Sequence, residues 1–218
     1  MKIFKGSNFV LFVLIIVSFL PGFLLYKQLP DQIPSHWNLS GEVDDYLSKD
    51  TLLFLIPGIN LGMFFLFLLL PKIDPSKNNY SLFIGSYTIV RWSIHVLLIF
   101  LQLFTVLNGV RVGRGEASLD ASLFVPIAVS FLFIIIGNYM GRFRHNYFIG
   151  IRTPWTLANE SVWQKTHRLG GKLFVLTGII GLSGIFFDPA VKAILLFTPL
   201  MISVIMITVY SYLLYKKI

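Results

Sequence analysis

The sequence predicts an all-α membrane protein with about six transmembrane helices and a short interfacial cytoplasmic helix. Three observations carry this. The chain is 56% hydrophobic with only 13% charged residues, and its mean hydropathy is +0.77, whereas a soluble domain carries about a quarter charged residues. Apolar runs long enough to cross a hydrocarbon core of about 30 Å recur six times. The polar residues, in contrast, gather in two loops, 27–49 and 141–170.

The six runs lie near residues 8–26, 50–70, 87–108, 119–140, 170–187 and 190–214. The first follows Lys2 and Lys5 and has the outline of a secretory signal, but it ends in "FLPGFLLYKQLP" without a small-x-small cleavage site. It therefore reads as a retained helix. No cysteine is present, which removes disulfides, thiolate metal sites and cysteine nucleophiles.

Lys and Arg orient the spans. Lys2, Lys5, Lys72, Lys77, Arg142, Arg144, Arg152, Lys165, Arg168, Lys172, Lys216 and Lys217 make twelve on one side, against five on the other: Lys27, Lys49, Arg111, Arg114 and Lys192. Both termini and loop 141–170 are expected in the cytoplasm, and loop 27–49 outside. The net charge of +8 thus reads as an orientation signal, with membrane lipids as neighbours and no direct nucleic-acid partner.

In the outer loop, "LPDQIPSHWNLSGEVDDYLSK", Pro30 and Pro34 fix φ and favour a stiff, polyproline-like strand, and Gly41 allows a turn. His36 and Trp37 form an amphipathic pair suited to the lipid boundary. Three readings stand: an interfacial anchor with a solvated acidic tip, a binding surface for something arriving from outside, and a metal site using His36 with Asp44 and Asp45.

In the inner loop, Gly150 and Pro154 bracket Arg152 and Thr153 in a non-helical turn. Thr156 is then a candidate N-cap for a helix of about three turns, "LANESVWQKTHRLGG", ending at Gly170 and Gly171. Glu160 and Gln164 lie beside a face shared by Trp163 and His167. A helix this short is marginal in water, so it is expected to lie at the interface, anchored by Trp155 and Trp163.

Within the spans, Arg91 and His95 sit four apart on one face. Arg91 is expected to snorkel or to pair with a loop acid such as Glu160, with Asn138 as a neutral alternative. Gly178, Gly181 and Gly184 read as a helix-packing face. His145, Glu160 and His167 could converge, but there is no His-Glu-x-x-His spacing and there are no paired acids. No enzyme activity, metal or cofactor is expected.

The stretch "IIGNYMGRFRHNYFIGIRTPWTLANESVWQKTHRLGGK" resembles the signature of the SdpI family of bacterial multi-pass membrane immunity proteins. Asn138, Asn146, the run from Gly150 to Thr156, Trp163, His167 and Gly171 fall in order. Upstream, "LPDQIPSHWNLSGEVD" is similar to the short N-terminal membrane domain often fused ahead of it, giving an N-terminal domain over 1–75 and an SdpI-like domain over 80–218 with its signature at 138–172. The resemblance implies protection against a secreted peptide toxin, and leaves open a signalling branch through a cytoplasmic transcriptional repressor. The rival classes are a small-solute transporter or channel and a membrane interaction scaffold.

Overall fold

The computed structural model describes residues 2–38 and 40–218. Among them are ten regular elements: α1 (Lys2–Val17), α2 (Leu20–Leu25), β1 (Gln32–Trp37), β2 (Val43–Ser48), α3 (Lys49–Ile73), α4 (Tyr80–Gly113), α5 (Ala121–Met140), α6 (Pro154–Ala158), α7 (Glu160–Ser183) and α8 (Pro189–Lys216). Six segments among the described residues are helical, long and apolar enough to cross a membrane: Gly6–Gln28, Lys49–Ile73, Lys77–Gly113, Ala121–Met140, Glu160–Phe186 and Pro189–Lys216. The chain is a multi-pass membrane protein.

Two compact units form. One comprises Met1–Leu66 and Ile94–Val125, the other Phe67–Ser93 and Pro126–Ile218.

In the first unit, β1 and β2 pair antiparallel, with Ile33 opposite Leu47 and Trp37 opposite Val43. This corrects the polyproline-like expectation: the segment is extended, as Pro34 requires, but its backbone groups are spent on a partner strand rather than on water. Register irregularities flank His36. The turn is organised by Asn38, whose Oδ1 accepts the N–H groups of Ser40 at 2.9 Å and Glu42 at 3.0 Å. Gly41 completes it at φ 81°, a conformation that a β-carbon disfavours. Ile33 and Leu29 pack with Leu52, Leu53, Val106 and Val110 into a buried cluster. Trp37 is half-buried, its ring 6.1 Å from that of Phe104.

In the second unit, α7 packs along α8, and small residues let α5 approach α7. A β-carbon on Gly171 would lie 2.6 Å from the carbonyl oxygen of Gly137, and one on Gly178 would lie 2.5 Å from that of Ser130. Gly181 faces Ser130 and Leu196, and Gly184 faces Lys192. The packing face expected at Gly178, Gly181 and Gly184 is present, and it extends to Gly170 and Gly171.

That extension overturns the expected inner helix. Gly170 and Gly171 end nothing: α7 begins at Glu160 and runs through them into the fifth span. Thr156 is not the cap. Thr153 caps the five-residue α6, and Asn159 caps α7 by accepting the N–H groups of Ser161 at 2.8 Å and Val162 at 3.1 Å. A helix-interior glycine costs about 1 kcal/mol relative to alanine. Here tertiary contact with α5 requires its absent side chain. The third helix likewise begins earlier than expected, at Tyr80, with a kink at Phe83.

Candidate functional site

Between α5 and α7 the chain makes a knot of side chain to backbone hydrogen bonds, all within the second unit. Asn146 is fully buried and uses its whole amide. Its Oδ1 accepts the N–H groups of Phe148 at 3.0 Å and Ile149 at 2.7 Å, while Nδ2 donates to the carbonyls of Arg144 at 2.9 Å and Ile149 at 3.0 Å. One side chain thereby supplies the partners that a sheet or helix would otherwise give this loop.

Gly150 follows at φ 114°. A β-carbon there would collide with Nε2 of His167. Trp163 and His167 are fully buried, one turn apart on α7, with stacked rings 4.0 Å between centroids. Trp163 donates from Nε1 to the carbonyl of Phe143 at 2.9 Å, and the ring of His145 lies 5.2 Å away. Trp163 is therefore a core pin for the loop. The expectation of an interfacial anchor fails because its N–H has a backbone partner inside the fold.

Thr153 and Thr156 form a reciprocal capping box at α6: Thr153 N–H donates to Thr156 Oγ1 at 2.9 Å, and Thr156 N–H to Thr153 Oγ1 at 3.2 Å. Pro154 at the first helical position has no N–H to leave orphaned. Thr153 also meets Ser211 Oγ on α8 at 3.1 Å, and the half-buried Trp155 packs against Tyr212 with centroids 5.1 Å apart. The turn is thus fastened to α8.

Asp74, which the sequence reading passed over, ties the loop to the end of α3. This buried carboxylate accepts the N–H of Ser76 at 2.7 Å, the hydroxyl of Tyr80 at 3.1 Å and the N–H of Tyr147 at 3.0 Å. Asn79 reinforces it by donating to the carbonyl of His145 at 2.8 Å. The available signal was "IDPSKN", an Asp followed by Pro and Ser just past a span, which is Asx-turn chemistry.

The residues predicted in and around loop 141–170 fall into two groups. Asn146, Gly150, Thr153, Thr156, Trp163 and His167 build the knot. Arg152 is exposed on it, with one guanidinium nitrogen donating to the carbonyl of Tyr147 at 2.8 Å. Arg142 and Arg144 are also exposed, so the knot presents three guanidinium groups on a fixed backbone. Asn138 lies apart from it, exposed on α5. Glu160 is exposed, and its carboxylate accepts from Gln164 at 3.5 Å. His145, Glu160 and His167 do not converge: His145 donates to the carbonyl of Leu157 at 2.9 Å, and both ring nitrogens of His167 are engaged within the fold. Arg91 is fully buried on α4, so it does not snorkel.

In the β1–β2 hairpin, His36 Nδ1 lies 2.6 Å from Asp44 Oδ1 at an exposed position, and Pro34 is buried. Lys49 bridges Asp31 at 2.9 Å, and this hydrogen bond holds the Asp31 carboxyl below the ordinary range. Tyr46 and Leu47 are exposed beside Asp44 and Asp45. His95, in the same unit, hydrogen-bonds through Nδ1 to Oδ1 of buried Asn60 at 2.5 Å.

The model of the SdpI/YfhL protein family matches residues 142–211, from the first exposed arginine of the knot to the serine that meets Thr153. A domain of unknown function (DUF1648) matches residues 13–61, which include the β1–β2 hairpin. The chain is 31% identical over 212 residues to the immunity protein SdpI of Bacillus subtilis (strain 168), an alignment covering 97% of each chain. No solved structure matches.

Proposed function

Because the chain belongs to the SdpI/YfhL protein family, we propose that it is an integral membrane immunity protein, protecting its cell or neighbouring cells from a secreted antimicrobial peptide toxin. The observation that carries this reading is similarity along 97% of both chains to a protein named for immunity. The chemistry of the two loops suits it. The hairpin offers Glu42, Asp44 and Asp45 beside exposed Tyr46 and Leu47, a surface complementary to a cationic, amphipathic peptide. The inner knot offers Arg142, Arg144 and Arg152 on a rigid base, suited to lipid phosphates or an acidic protein surface. A cytoplasmic repressor docking on these arginines is the signalling extension of the proposal.

Under this reading the protein works by binding rather than by covalent chemistry. Pro34, Gly41 and the His36–Asp44 bond shape the outer surface, while Arg152 and Trp155 hold the inner turn. The rival solute-pathway reading draws on the buried Asn60–His95 pair and on buried Gln102 in the first unit. Expression in a toxin-sensitive strain tests the proposal. Cells carrying the protein should survive secreted toxins that kill the parent strain. Unchanged killing by every toxin tried, with the protein present in the membrane, would refute it.

A further inference from the structure

Along α7, Arg168, Lys172, Leu176 and Ile179 recur at helical spacing, and all four are exposed. They form one wall of an open groove of 650 Å³ against α5. Its floor has almost no side chains, because Gly137 and Gly171 bring the two backbones together. Asn138 stands on the α5 side, level with the cations.

The groove is graded along its length. α5 ends at Met140, and a β-carbon on the next residue, Gly141, would lie 3.6 Å from Cγ of Arg168. The cationic end is therefore level with the point where the fourth span stops. From there the wall turns apolar, and eleven residues from Arg168 to Ile179 rise about 16 Å, close to half of a hydrocarbon core about 30 Å thick. Neither Arg168 nor Lys172 has an ion pair among the described residues.

We propose that this groove binds one anionic phospholipid, its phosphate held by Arg168, Lys172 and the Asn138 amide and one acyl chain laid along Leu176 and Ile179. Two cations over an apolar slot one leaflet deep match that ligand in charge and in length. A second copy of the chain fits less well. The ten acidic residues lie in loops, in strand β2 or in the first turn of a helix, so a packed apolar span would leave both cations facing hydrocarbon. The proposal does not depend on the immunity reading.

The test is native mass spectrometry of the purified protein given equal amounts of phosphatidylglycerol and phosphatidylcholine with identical acyl chains. One phosphatidylglycerol should be retained in preference to phosphatidylcholine. The double variant Arg168→Gln, Lys172→Gln should lose that preference, while Lys165→Gln, an exposed cation off the groove, should keep it. A photoreactive side chain at residue 179 should label a lipid chain. Equal retention of the two lipids by the parent, undiminished preference in the double variant, or capture of a second protein copy at residue 179 would each overturn the proposal.

Discussion

His167 Nε2 accepts the backbone N–H of Ile151 at 2.9 Å, and on its other side Nδ1 donates to the carbonyl of Trp163 at 2.8 Å. A carbonyl can only accept and an N–H can only donate, so the two contacts together fix a neutral imidazole protonated on Nδ1. The ring joins the turn at Gly150 to α7. Removing it strands a partly buried N–H and empties the space beside Trp163.

His167→Ala should therefore cost at least the roughly 1–3 kcal/mol of an unsatisfied buried donor, read as a lower midpoint in thermal unfolding of the detergent-solubilised protein. Gly150→Ala should be at least comparably harmful, because alanine at φ 114° is strained and its methyl meets the imidazole. An unchanged midpoint for both would mean that the clamp does not hold the loop.

Asp74 is the second fastening. Asp74→Ala removes the acceptor for Ser76, Tyr80 and Tyr147 at once, and hydrogen bonds to a charged group are worth about 1.5–3 kcal/mol. Limited trypsin digestion should cut at Arg142 and Arg144 faster in Asp74→Ala than in the parent. Equal cutting rates would show that the loop keeps its shape without the carboxylate.

Helix-packing glycines separate cleanly from neutral ones. Gly171→Ala places a methyl against the Gly137 carbonyl and should destabilise by roughly 1–3 kcal/mol, as overpacking does. Gly58→Ala on α3 meets nothing within 4 Å and should leave accumulation unchanged and the melting midpoint unchanged or raised, since alanine is the better helix former. If the two variants behave alike, the close approach of α5 and α7 is not what Gly171 serves.

Much of this architecture was legible in the sequence, because span length and hydropathy are local properties. The helices near 50–70, 119–140 and 190–214 appear within a few residues of their expected ends. The glycine face on α7 was also legible, from spacing alone. What escaped depends on partners distant in sequence. Gly170 and Gly171 look like a helix stop until Gly137 is seen against Gly171. Trp163 looks like an interfacial anchor until Phe143 is found accepting its N–H. Asp74 announces an Asx turn at most, since its hold on the loop exists only once Tyr147, 73 residues later, folds back onto it. The β-hairpin was half-visible: Pro34 and Gly41 announced an extended segment and a turn, but the pairing with Val43–Ser48 had no strong alternating signal.

Twelve Lys and Arg flank one side against five on the other, so reporter fusions at residue 218 and at the hairpin turn should signal from the cytoplasm and the exterior respectively. Signals from the same side for both would break the assignment.

We propose that the knot around Asn146 is the working part of the protein in immunity. Arg152 discriminates most directly, since its side chain is exposed and spends one nitrogen on the Tyr147 carbonyl. The measurement is survival of a toxin-challenged sensitive strain expressing the parent, Arg152→Ala or Arg152→Lys, with membrane accumulation quantified in each. All three should accumulate alike, the parent should protect, Arg152→Ala should not, and Arg152→Lys should protect in part at most, because an ammonium lacks the planar fork. Full protection by Arg152→Ala at parental accumulation would contradict it.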